Sequence, residues 1–172
     1  MDRKSLILTA LLGLYFSITP TYGRQLKFLP PASPSLYSVY NDLLSNKNNI
    51  NELYERIESL KDRAYDSDAS ENSKRDLAAF LLLKVYHQIQ ESYDENENLL
   101  AEASELVPDS DRIEELWGDT CYYNGDYESS ITHYETALSL NPDNDTLDEK
   151  FGESYYRSLH YEKALEYIEK VL

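Results

Sequence analysis

The 172-residue sequence predicts an all-α protein built from tandem helical units, and three observations carry that prediction. Residues recur at a spacing of 34: Tyr93, Tyr127 and Tyr161; Pro108 and Pro142; Trp117 and Phe151; Gly118 and Gly152; Ala103, Ala137 and Val171; Leu106 and Leu140. Independent positions agreeing on one period mark tandem units. Upstream, Ile50, Leu53, Tyr54, Ile57 and Leu60 step by three and four, which places them on one helix face. Composition agrees, because only 5 Gly and 6 Pro beside 16 Tyr favour long amphipathic elements over many short strands. At 41% hydrophobic content the chain can bury one domain's core.

The N-terminus reads as an address. "MDRK" is a basic start, Ser5 to Ile18 is an apolar run of signal-peptide length, and "TPTYG" brings a helix breaker and small residues, with cleavage expected after Gly23. Residues 1–23 are therefore expected to be a signal peptide and the protein to be exported, most simply to a bacterial periplasm or secreted. The alternative is an uncleaved membrane anchor, for which the run is short of the roughly 20 residues a spanning helix needs. No cysteine for acylation lies near it, and the twin-arginine pair is missing.

Residues 24–35 hold three prolines in five residues and read as an extended linker. Ser35 is expected to cap a helix at 36–44, "NKNN" breaks it, and a second helix ends near Tyr65, giving an N-terminal hairpin over 36–65. Polar residues 66–73 form a loop. Three units then fill 74–172, at about 77–110, 111–144 and 145–172. The hairpin at 36–65 aligns with no repeat position and is either a diverged unit or a cap.

The second unit resembles the tetratricopeptide repeat (TPR), on Trp117, Gly118, Cys121, Gly125, Tyr127, Ser130, Tyr134, Ala137 and Pro142. Trp117, Cys121 and Ser130 depart from the leucine, tyrosine and alanine usual in those slots. In the third unit Phe151, Gly152, Tyr155, Tyr161, Ala164, Ile168 and Val171 fill the same positions, and "YEKAL" is typical of the family. The first unit fits at Leu83, His87, Tyr93, Leu100, Ala103 and Pro108, with Lys84 replacing the glycine and Asn96 the small residue. The resemblance implies a short right-handed α-solenoid. Gly118 would allow close helix approach, "NGD" at 124–126 would turn the chain, Tyr127, Tyr134 and Ala137 would fill the seam, and Pro142 would end the second helix.

Charge is uneven. Residues 76–172 carry 23 acids and 6 bases (−17), whereas residues 1–75 carry 9 acids and 10 bases (+1). An acidic surface repels phosphate, so nucleic acid is disfavoured and basic partners are favoured. The lone Cys121 has no disulfide partner within the chain and sits in a seam slot, as a small buried hydrophobe. His87, His133 and His160 are far apart in the pattern, Glu114–Glu115 and Asp148–Glu149 lack a partner base, and "DSDASEN" lacks the glycine and distal glutamate of a calcium loop. Phosphate-binding glycine loops are missing as well. Asn144-Asp145-Thr146 is the single glycosylation triplet and is too common by chance to carry weight. These readings imply no enzyme, no cofactor and no metal.

Function is then expected on a surface. In the tetratricopeptide family the first helix of each unit lines a concave groove. Carried onto this chain, the groove would present Ala78, Leu81, Val85, Gln88 and Ile89, then Arg112, Glu115, Asp119, Tyr122 and Tyr123, then Thr146, Glu149, Glu153, Tyr156 and Arg157. The implied groove has an apolar end and an acidic, Tyr-rich end, suited to a protein or peptide partner with basic and apolar residues. It lacks the Lys/Asn set with which chaperone-binding members hold a C-terminal carboxylate. Leu165, Ile168 and Leu172 are expected to leave an apolar C-terminal edge, a candidate homodimer contact. The expected role is that of an exported adaptor or assembly factor. The alternatives are a regulatory or substrate-recruiting subunit of an envelope enzyme or secretion complex, and an architectural dimer.

Overall fold

A computed structural model describes residues 29–45 and 49–171. The expected signal peptide at 1–23, the start of the expected linker and Leu172 lie outside the described residues. After a 3-10 turn at Pro34–Leu36 come eight α-helices: α1 (Tyr37–Ser45), α2 (Ile50–Ala64), α3 (Glu71–Gln88), α4 (Tyr93–Leu106), α5 (Asp111–Tyr123), α6 (Tyr127–Leu140), α7 (Leu147–Arg157) and α8 (Tyr161–Val171). Each helix from α2 onward packs on the next in sequence, so the chain is a short α-helical repeat solenoid. None of the described helices is long and apolar enough to cross a membrane.

The period of 34 has a structural meaning: Tyr93, Tyr127 and Tyr161 are the first residues of α4, α6 and α8. The turns before α6 and α8 also repeat. Gly125 N–H donates to Tyr122 O and Asp126 N–H to Cys121 O, and 34 residues on Leu159 N–H donates to Tyr156 O and His160 N–H to Tyr155 O. Both turns pass through a left-handed residue, Gly125 at φ 84° and Leu159 at φ 67°, the helix ending that glycine favours.

Close helix approach is visible at the repeat glycines. A Cβ on Gly118 would lie 2.3 Å from Cε1 of Tyr134, whose ring is buried against the α5 backbone. At Gly152 the same Cβ would meet Ile168 Cγ1 at 3.0 Å. The first unit substitutes polar contacts for these small residues. Lys84, in the glycine slot, is 7% exposed and reaches Glu95 Oε1 at 2.7 Å while lying over the Tyr54 ring. Asn96, fully buried, accepts from Gln88 Nε2 at 3.1 Å and donates to the Ile89 carbonyl at 3.3 Å. Buried polar groups satisfied in this way are tolerated.

Four expectations are corrected. The linker at 24–35 is not detached over its described part: Leu29 and Pro31 are buried, and Ser33 N–H donates to Asp76 Oδ1 at 2.9 Å while its hydroxyl reaches Asp76 Oδ2. Ser35 caps nothing, because it lies inside the 3-10 turn. The polar loop ends earlier than 73, because Ser70 accepts from Ser73 N–H and starts α3. At 36–65, α2 packs on α3, and α1 touches α3 through the Tyr40 ring on Phe80 at 5.4 Å and a Leu43 carbonyl contact with His87 Nε2. α3 is consequently buried on nearly every side. The C-terminal edge is also less apolar than expected, since Ile168 is 2% exposed beneath α7 whereas Glu162, Lys163, Glu166, Glu169 and Lys170 face outward.

The two glycines should respond differently to alanine. Gly118→Ala must displace the buried Tyr134 ring and is expected to cost roughly 2–4 kcal/mol. Gly152→Ala asks only that Ile168 give slightly, and the helix-propensity gain of up to about 1 kcal/mol offsets that. Urea unfolding followed by Trp117 fluorescence checks both; equal losses would contradict the packing described.

Candidate functional site

The second and third units meet in a polar network. Lys150 on α7 reaches back to α5, with Nζ 2.9 Å from Glu115 Oε1 and 2.7 Å from each Asp119 carboxylate oxygen. Glu115, 2% exposed, also accepts from Arg112 Nη1 at 2.7 Å, Asn144 Nδ2 at 3.0 Å and Thr146 Oγ1 at 3.3 Å. Asp119 accepts the Tyr134 hydroxyl at 2.8 Å. Asn144 of the glycosylation triplet is thus an interior hydrogen-bond donor, 5% exposed.

Electrostatics separate the two carboxylates that share Lys150. Burial would raise Glu115, but Lys150, Asn144 and Arg112 outweigh it and hold the carboxyl below its ordinary value. For Asp119 burial wins, with Glu115 nearby adding to the rise against the pull of Lys150. Burial by itself would lower Lys150, yet the two carboxylates raise it, so the ammonium is retained.

Above this network lies a cavity of about 450 Å³ between α5 and α7. Its walls include Tyr122 and Tyr123 of α5, Tyr127 and Tyr134 of α6, Asp145 and Thr146 of the connection, Glu149, Glu153 and Arg157 of α7, and Val171 of α8. Tyr122 stands edge-on to Tyr123 at 5.5 Å and to Tyr127 at 5.4 Å. The neighbouring Tyr122 side chain raises the Arg157 guanidinium further. Burial pushes the Tyr123 phenol up to about 12, with Glu153 contributing.

Glu149 and Glu153, one helical turn apart, differ from the acids below them. Oε1 of Glu149 is buried without a hydrogen-bond partner. Burial, then the like charge of Glu149, pushes the Glu153 carboxyl up to about 7; Arg157 and Lys150 oppose this only through space. One carboxylate pair in the site is therefore neutralised by a lysine, and the other is not.

Sequence expectations divide along the same line. Glu115, Asp119, Tyr122, Tyr123, Thr146, Glu149, Glu153 and Arg157 come together around the cavity, and Arg112 supports it through Glu115. Leu81 and Val85, fully buried, and Gln88, bonded to Asn96, are interior, which corrects the expected apolar end of the groove. Ala78 is equally buried and Ile89 packs against the same core. Tyr156 leans on Tyr161 at 5.7 Å and on the α7–α8 core instead of the cavity. Lys150, Tyr127, Tyr134, Asp145 and Val171 were not expected. For Lys150 a signal existed: 34 residues earlier the chain has Leu116, buried at 5% exposure.

Nothing in the site is arranged for nucleophilic or metal chemistry. Cys121 is buried and its thiol is pushed up to about 11 by that burial. His133 stacks on Trp117 at 5.1 Å with Nδ1 2.8 Å from Glu114, away from the cavity walls. Among the described residues no three His, Cys, Asp or Glu side chains converge to hold a metal ion.

Residues 118–158 match the family model described as TPR repeat, a span that runs from Gly118 in α5 through α6 to the end of α7. The match supports the tetratricopeptide resemblance read from the same residues. No curated protein matches the chain.

Two substitutions separate the roles of the acids. Lys150→Met strands two buried carboxylates and is expected to cost roughly 3 kcal/mol at pH 7, less toward pH 4 as they take up protons. Glu153→Gln acts in the opposite direction. With its folded-state value raised from 4.5 to about 7, Glu153 withdraws stability as pH rises through that window. The amide is expected to add roughly 1–3 kcal/mol at pH 8 and almost nothing at pH 4. Chemical unfolding of both variants across pH checks each sign.

Proposed function

We propose that this chain is a non-catalytic protein-interaction module whose cavity between α5 and α7 binds a partner segment carrying basic and apolar residues. TPR repeats generally mediate protein–protein contacts, and the matched span 118–158 contains the end of α5 and the whole of α7, the two helices that flank the cavity. The observation that carries the reading is the cavity itself: about 450 Å³, with tyrosine faces beside carboxylates. Tyrosines supply contact area at low entropic cost, and the acids select for positive charge. A site of a size to hold a chain segment supports an adaptor or assembly role.

The apolar run from Ser5 to Ile18 supports an extracytoplasmic setting for this binding, periplasmic or secreted. In that setting the −17 charge of residues 76–172 would also keep the module soluble and draw basic partners.

Site-specific photo-cross-linking tests the location of binding independently of charge. A benzophenone side chain replacing Tyr123 in the cavity wall is expected to trap a defined protein in native extract. The same group at Tyr65, 57% exposed at the end of α2, is expected not to trap it. Cross-links formed only from Tyr65 would overturn the groove reading.

A further inference from the structure

The cavity between α5 and α7 limits the shape of what it can hold. At about 450 Å³ it is of the size that encloses a drug-sized group, which is a few residues of a chain. Two turns of helix, about 11 Å long and 10 Å across, are bulkier. Nor can a strand be added to the walls. The backbone groups of α5 and α7 are bonded within their own helices. Before α7, Asp145 N–H donates to Asp143 O and Thr146 N–H to Asn144 Oδ1. An extended segment buried here therefore meets no backbone partner, and each of its N–H groups is costly unless a side chain accepts it.

Three half-buried tyrosines cluster on the cavity wall where α5 turns into α6. Tyr122 stands edge-on to Tyr123, with 90° between the rings, and meets Tyr127 at 63°, so their faces form a corner and not a stack. Burial raises the Tyr122 and Tyr123 phenols, which keeps both hydroxyls protonated near neutral pH. Proline suits each of these conditions. It brings no N–H to satisfy, its φ is already that of an extended chain, and its ring packs on aromatic faces while the neighbouring carbonyls stay open to hydroxyl donors. Leucine would fill the same corner but would bring a buried N–H and lose more freedom on binding.

We propose that the segment held between α5 and α7 is extended and proline-containing, with a proline ring seated in the corner formed by Tyr122, Tyr123 and Tyr127. The inference rests on the groove reading above and names the backbone conformation and residue class that the groove selects. Carboxyl groups outnumber cations five to two on the cavity walls, so basic residues of the segment flank the proline along α7.

The test uses the full chain and three fluorescent, end-blocked heptapeptides that share one lysine and differ at two adjacent central residues: Pro-Pro, Ala-Ala or Leu-Leu. Anisotropy is expected to show the proline peptide binding at least about fivefold tighter than either of the others, the scale set by two backbone positions already held extended. Tyr122→Ala and Tyr123→Ala are each expected to abolish that preference, whereas Tyr122→Phe, which keeps the ring, retains most of it. Fold is checked by Trp117 fluorescence, and loss of fold in one alanine variant leaves the other to be read. If alanine or leucine binds as well as proline and the alanine variants weaken all three peptides, the groove reading stands and the proline seat is overturned. A proline preference that survives both alanine variants also overturns it. If none of the peptides binds up to about 5 mM, both readings fall.

Discussion

Tyr134 sets the constraint on which the second and third units depend. Its ring is buried against the α5 backbone where only Gly118 leaves room, and its hydroxyl must find an acceptor in the interior. Asp119, one residue beyond that glycine, provides it at 2.8 Å. A carboxylate placed there needs a counter-charge, because a buried unpaired charge costs several kcal/mol. Lys150 on α7 answers that need and simultaneously takes Glu115. A packing choice on α6 therefore propagates through one hydrogen bond and one ammonium group into the placement of α7 against α5.

The same chain of necessity explains why the acids of the cavity are not equivalent. Glu115 and Asp119 belong to the interface between repeats, and their charge is already spent on Lys150 and Arg112. Glu149 and Glu153 stand at the same positions in the third unit, where among the described residues Arg157 and Lys150 act on Glu153 only through space. Glu153, raised by burial and by the like charge beside it, weakens the fold as pH rises through neutral, a local cost of the kind found at functional sites. Electrostatic attraction for a partner should therefore not be assigned to the acidic face as a whole. It concentrates at the third unit, beside a tyrosine cluster.

How much of this was legible in the sequence depends on which interactions the repeat itself encodes. The period placed Tyr93, Tyr127 and Tyr161 at equivalent helix starts and marked Gly118 as a site of close approach, because steric needs recur with the period. The slot assignment also grouped Glu115, Asp119, Tyr122, Tyr123, Glu149 and Glu153, which the fold brings around one cavity. Slots say which way a residue points but not what covers it, and α1 and α2 bury the first unit's Leu81 and Val85 in a shared core. Nor does a slot reveal long-range pairing. Lys150 pairs with Asp119, 31 residues away, and Ser33 with Asp76, 43 residues away, contacts that have no local signature. The polar residues Lys84 and Asn96 depart from the repeat pattern, yet each is satisfied by a partner, so the first unit keeps its packing by other means.

The division of the acids into a neutralised pair and an open pair is tested most directly by carboxyl-detected NMR titration of the full chain. The structure predicts that Glu153 titrates near 7 and Glu115 below 4.5 in the same molecule. Both carboxyls titrating together near 4.5 would show that the third unit's acids are ordinary surface groups, and the account of the cavity would be contradicted.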